Sequence, residues 1–217
     1  IPLGIINATT MHIPVIIAAI VEGPLVGALV GLIFGISSLA NALIRPNPVS
    51  FVFYNPLISI LPRVLIGITS YYAYKGVKNA STKNSKTIAK IIWILISLAL
   101  VYILYKDIKV GSSPLNITIV VILLLISIAL FIYSRKSSAL DFPVTIGAFV
   151  GSMTNTILVL GGIYLIYAEK YVEVLNIPLE NAKSAILGVS VTSGIPEAIF
   201  SVIITTAVVK AVKRSRR

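Results

Sequence analysis

The sequence has no cysteine, one histidine and seven acidic residues among 217. Without cysteine there are no disulfides, thiol nucleophiles or thiolate metal ligands, and the redox compartment stays open. A single histidine cannot build a His-rich metal site, so no metal is expected. Charge of either sign is scarce, at 12% of residues, about half of what a soluble domain carries. Catalytic signatures are missing too. There is no glycine-rich phosphate loop with its lysine, no HExxH, no Ser-His arrangement and no paired carboxylates. ATP hydrolysis by this chain alone is therefore not expected, nor any other enzymatic activity, nor a cofactor.

Apolar residues are abundant instead. They make up 57% of the chain, with a mean hydropathy of +1.00. One soluble core of this size could not hide so much apolar surface, whereas a bilayer accepts it without burial. A spanning helix needs about 20 mostly apolar residues. The chain offers a short run, Ile13 to Val21, and six longer ones: Leu25 to Ile44, Asn55 to Tyr74, Ile88 to Tyr105, Leu115 to Tyr133, Val144 to Tyr167 and Ser184 to Val209. The expected fold is all-α, a polytopic membrane helix bundle forming a single integral membrane domain over residues 1–217. Ile1-Pro2-Leu3-Gly4 reads as the tail of a preceding segment, so a further helix is expected ahead of it.

The net charge of +11 would suggest nucleic acid in a soluble protein. Here the basic residues lie between apolar runs and act as topology signals, so no nucleic acid partner is expected. Alternating helix directions sorts them into two sets. One holds Lys75, Lys78, Lys83, Lys86, Lys90, Arg135, Lys136, Lys210, Lys213, Arg214, Arg216 and Arg217; the other holds Arg45, Lys106, Lys109, Lys170 and Lys183. Twelve against five is a clear bias, and the positive-inside rule makes the first set and the C-terminus cytoplasmic. The Glu22-Gly23-Pro24 turn falls on that same side. Loops 1–12, 45–54, 106–114 and 169–182 fall outside.

The spans differ in kind. Ile88–Tyr105 and Leu115–Tyr133 are plain Ile/Leu/Val helices, read as a lipid-facing inserted hairpin over 88–134. The others carry interior Gly, Pro, Ser, Thr and Asn, which allow close approach and hydrogen bonding between helices. Gly23, Gly27, Gly31 and Gly35 form one smooth stripe, fit either for packing within the chain or for docking a membrane subunit. Arg63 lies about 12 Å below Asn55 on a helix, and a charge at that depth needs a partner or a cavity. Glu197, near mid-span behind Gly194-Ile195-Pro196, could form a buried ion pair with it; otherwise Arg63 faces a ligand carboxylate. Asn155 is either an interhelical clasp or a ligand contact. His12 alone reads as an interfacial residue, though the polar stretch 7–12 could close over an outward-facing site.

Asn7-Ala8-Thr9-Thr10-Met11-His12-Ile13-Pro14, the Glu22-Gly23-Pro24 turn with its glycine stripe, and Asn55-Pro56-Leu57-Ile58-Ser59-Ile60-Leu61-Pro62-Arg63 resemble the substrate-binding S components of energy-coupling factor (ECF) vitamin transporters, most closely the pantothenate-type branch. Gly151-Ser152-Met153-Thr154-Asn155-Thr156, Leu158-Val159-Leu160-Gly161 and Glu197 continue the resemblance, which covers residues 1–76 and 143–217. It implies a six-helix core with both termini cytoplasmic and a vitamin bound near the outer face beneath the loop before Ile13. It also implies partners: a transmembrane coupling subunit and two cytoplasmic ATPases. The chain departs from the family pattern in lacking a visible first helix and in carrying the hairpin 88–134.

The expected function is capture of a small vitamin, pantothenate or a related carboxylate, for ATP-driven uptake. The residues expected at the pocket are Asn7, Thr10, His12, Asn55, Arg63, Asn155 and Tyr164, with Arg63 as anionic anchor, Asn155 as hydrogen-bonding partner and 7–12 as a gate. A self-contained secondary transporter would need intramembrane acids or broken helices in repeated halves; Glu197 stands alone and no repeat is evident. An intramembrane enzyme would need acids, histidines or nucleophile pairs that are missing.

Overall fold

The computed structural model describes residues 2–3, 6–7, 11–80 and 141–216, together with scattered positions between 87 and 132. By internal contacts the chain divides into two units, Ile1–Tyr74 with Val144–Arg217, and Lys75–Pro143. In the second unit the described positions from 87 to 132 are helical, with Leu98 and Leu125 exposed and Leu100 buried. Much of the two runs expected at 88–105 and 115–133 lies outside the described residues.

The first unit begins with two short antiparallel strands, β1 (Pro2–Leu3) and β2 (Ile6–Asn7). Helix α1 (His12–Glu22) follows and turns at Gly23 into α2 (Pro24–Ile44). Gly23 has φ +107°, a conformation that an L side chain rarely adopts. Pro24 at the first position of α2 sacrifices no intrahelical bond there. After a 3₁₀ turn at Ser50–Tyr54 come α3 (Pro56–Ser59) and α4 (Leu61–Asn79). The long helix α5 (Asp141–Val174) loses helical geometry only at Tyr167 (φ −131°, ψ 17°), the residue at which the apolar run ends. A 3₁₀ turn (Leu179–Asn181), α6 (Ala182–Val189), a π-helical segment (Ser190–Gly194) and α7 (Ile195–Ser215) complete the unit.

Four helical stretches among the described residues are long and apolar enough to cross a membrane: Pro24–Ile44, Pro56–Asn79, Phe142–Val174 and Ile195–Ser215. Outward apolar side chains such as Ile33 (66% exposed) and Leu165 (82% exposed) suit acyl chains rather than water. The protein is a multi-pass membrane protein with an all-α spanning bundle.

The glycine stripe is absorbed within the chain. A Cβ at Gly27 would press on Ala19 of α1, one at Gly31 would overlap the Arg63 carbonyl oxygen, and one at Gly35 would meet Ile60 and Ser59. Gly67 faces Gly27 in the same way from α4. Backbone therefore meets backbone where α2 crosses α4, an approach that only glycine permits. Of the two expectations for the stripe, packing within the chain describes Gly27, Gly31 and Gly35 here, where α1, α3, Ile60 and α4 lie against them. Gly23 has nothing within 4 Å of its Cβ position and serves the turn.

One end of the unit is tied by basic side chains. Arg216 Nη2 donates to Glu22 Oε1 at 2.5 Å, and Lys213 Nζ donates to Tyr74 Oη at 2.7 Å. The α1–α2 turn, Tyr74 of α4 and the end of α7 thus lie together, as the charge pattern required. Away from that end, Val52 and Ile58 pack with Val159, Ile163 and Ile186.

Replacing Gly31 with Ala should destabilise the protein by about 1–3 kcal/mol through overpacking against backbone. Gly161→Ala, whose Cβ meets nothing within 4 Å, should stay within about 0.5 kcal/mol of the parent. Melting in detergent reads both, and equal effects would contradict the α2–α4 seam.

Candidate functional site

Pro62 sets the geometry. In a regular helix its N–H would bond the Ile58 carbonyl, but proline has none, and its ring crowds that same carbonyl. The apolar run 55–74 is accordingly broken at Ile60, and α4 restarts at Leu61. Arg63 Nη1 donates to the Ile58 carbonyl oxygen, so the guanidinium satisfies the acceptor that Pro62 leaves open. The cation sits 5.5 Å from the ring centroid of Phe34 on α2 and 5.5 Å from that of Phe53 in the 3₁₀ turn. Arg63 is only 5% exposed, and its Nε has no hydrogen-bond partner among the described residues. Glu197, 8% exposed, lies within electrostatic reach of it.

A second polar group joins α1 to α5. His12, 1% exposed, lies with Nε2 3.2 Å from Ser152 Oγ. One turn further along α5, Thr156 Oγ1 donates to the Ser152 carbonyl at 3.3 Å and its side chain lies against Gly194. Gly194 closes the π segment. Pro196 cannot donate to the Thr192 carbonyl, and the helix widens there into a π turn, a distortion often found at functional sites. Strand β2 lies beside that segment. Asn155 is half-buried, and its Oδ1 is enclosed without a hydrogen-bond partner among the described residues. Thr154 turns instead to α4, with Oγ1 3.0 Å from Thr69 Oγ1.

The expected site residues divide on this geometry. Arg63, Glu197, His12 and Asn155 offer polar groups to the interior. Asn7 lies on β2, whose backbone adjoins the π segment, and Thr10 falls outside the described residues. Asn55 caps α3: its Oδ1 accepts from the Leu57 N–H at 3.0 Å, the usual work of an Asn before a helix-starting Pro. Tyr164 is 41% exposed, on a flank of α5 shared with Leu165.

Several contributors escaped sequence reasoning. Ser152 and Thr156 lie one turn apart within Gly151-Ser152-Met153-Thr154-Asn155-Thr156, a spacing that pointed at them. Phe34 and Phe53 carried no such signal, because their approach to Arg63 depends on the α2–α4 crossing. Among the described residues no group of three or more His, Asp or Glu is placed to hold a metal ion.

Residues 1–112 and 89–209 match the sequence profile of the ECF transporter substrate-specific component. The chain belongs to this family. It is also similar to the pantothenic acid transporter PanT of Lactococcus lactis subsp. cremoris (strain MG1363), with 26% identity over 226 residues, which covers 97% of this chain and 80% of that protein.

His12 and Ser152 should be energetically coupled. A double-mutant cycle with His12→Ala and Ser152→Ala, read by thermal or denaturant unfolding in detergent, should return about 1 kcal/mol. A coupling near zero would mean that the pair does not form.

Proposed function

We propose that this chain captures pantothenate, or a closely related vitamin carboxylate, and delivers it to a transmembrane coupling subunit driven by two cytoplasmic ATPases. The observation that carries the reading is that, among the described residues, the buried polar atoms without a hydrogen-bond partner include a cationic donor, Arg63 Nε, and an amide acceptor, Asn155 Oδ1. Buried polar groups are nearly always partnered, so both fit a solute that brings its own acceptor and donors. Pantothenate has a carboxylate for a guanidinium and hydroxyl and amide hydrogens for an amide oxygen. The name of the lactococcal relative supports the same choice.

In this reading Arg63 is the anionic anchor, Asn155 accepts from the solute, and the His12–Ser152 pair contributes polar wall. Asn7, Thr10, Asn55 and Tyr164 stand nearer the mouth, and residues 7–12 gate it. Glu197 balances the Arg63 charge while the site is empty. Residues 1–217 act as one membrane domain in the cell membrane, with 88–134 as an inserted hairpin and the C-terminus cytoplasmic, as the excess of basic residues at that end requires.

Calorimetry on the purified protein should give saturable pantothenate binding. Arg63→Gln should weaken it by about a hundredfold or more, the scale of removing one side of a buried charge contact. Pantothenol, in which an alcohol replaces the carboxylate, should bind much more weakly than pantothenate to the parent but about equally to Arg63→Gln. Absent pantothenate binding, or full affinity in the variant, would defeat the proposal.

Because the chain has no cysteine, single-cysteine variants read the orientation directly. A membrane-impermeant maleimide added to intact cells should label Glu180→Cys and spare Ser215→Cys until the cells are permeabilised. The reverse pattern would invert the topology.

A further inference from the structure

The last two turns of α7 carry a surface that vitamin capture does not use. Ala207, Lys210, Ala211, Arg214 and Ser215 line an open groove of about 490 Å³. Their spacing explains it. Residues three and four apart share a helix face, so Ala207 and Ala211 form a low apolar floor, and Lys210, Arg214 and Ser215 form a polar rim. All five are exposed. On the neighbouring flank of α7, Lys213 lies 4.5 Å from the Tyr74 ring centroid and donates to its hydroxyl, and Arg216 pairs with Glu22.

Depth selects the occupant. The apolar run of α7 ends at Val209, so Lys210 and Arg214 stand where a spanning helix leaves the hydrocarbon for the headgroups. An ammonium, a guanidinium fork and a hydroxyl are donors suited to phosphate oxygens, and the alanine floor leaves room for the first carbons of an acyl chain. We propose that this groove is a binding site for one anionic phospholipid, with its phosphate held by Lys210 and Arg214 beside Ser215. The lipid's charge complements the rim, and its chains continue into the bilayer along α7.

The test uses the purified full chain in detergent, titrated separately with phosphatidylglycerol and phosphatidylcholine and read by native mass spectrometry. One phosphatidylglycerol should bind at least about tenfold more tightly than phosphatidylcholine, the scale expected of two surface cations. The double variant Lys210→Gln/Arg214→Gln should abolish that preference, and Lys75→Gln/Lys78→Gln should keep it. If the first variant is poorly folded, Ala207→Leu/Ala211→Leu tests the floor with the charges intact, and it should also lose the bound lipid. Equal binding of the two lipids, or a preference that survives both groove variants, overturns the proposal. A Lys210/Arg214 variant that keeps its lipid but no longer assembles with the ATPase-bearing subunits would reassign the groove to a protein partner. Pantothenate calorimetry on the same variants should be unchanged, so failure here is separable from failure of the vitamin reading.

Discussion

A guanidinium held away from water makes demands on everything around it. Bringing Arg63 to mid-bundle costs about 2.5–3.5 kcal/mol even on the gentler insertion scales. The return comes from several neighbours. A hydrogen bond to a charged donor contributes about 1.5–3 kcal/mol, and a desolvated cation–π contact about 2 kcal/mol. The Ile58 carbonyl, Phe34, Phe53 and the field of Glu197 therefore suffice to keep the cation in place, even with one donor unmatched. Pro62 supplies the starting condition, since without it the Ile58 carbonyl would be bonded within the helix. A helix break, two aromatic positions and a buried acid thus depend on one another.

The glycines of α2 serve that arrangement. Gly31 brings the α2 backbone against the carbonyl of Arg63, and Phe34 follows one turn later, where its ring can reach the guanidinium. Bulkier residues at 27, 31 and 67 would hold α4 away from α2 and separate Phe34 from Arg63. The stripe therefore sets the distance between α2 and α4 on which the surroundings of Arg63 depend. Its period was plain in the sequence, but its partner was not, because small-residue stripes look alike whether the opposing helix is in the same chain or another.

Similar reasoning separates what the sequence could reveal from what it could not. Spanning helices follow from apolar length, so α2 and α5 lie over the runs that announce them, whereas the run 184–209 is divided among α6, the π-helical segment and α7. The clustering of the Glu22 turn with the end of α7 followed from charge alternation, and the Arg216–Glu22 contact agrees with it. Arg63 and Glu197 could be singled out because charge inside an apolar run is costly wherever it sits. Asn55 misled for a definite reason: an Asn before a Pro fits both a ligand contact and a helix cap, and the choice rests on whether a helix starts there. Phe53, in a turn between helices, could be found only from the folded arrangement.

Helices α4 and α7 meet near both ends, through Arg63 and Glu197 at one and Tyr74 and Lys213 at the other. Eleven residues separate the first pair of positions on α4, about 16 Å of rise, and sixteen separate the second on α7, about 24 Å. Helix tilt and the reach of the long Arg63 and Lys213 side chains absorb the difference. Between those positions α4 turns Gly67 to α2 and Ser70 to α5, while Ser201 and Thr205 are the buried small residues of α7. The polar interior and the basic end are therefore two terminations of one helix pair. A change in the placement of either helix would be felt at Arg63 and at the basic end together.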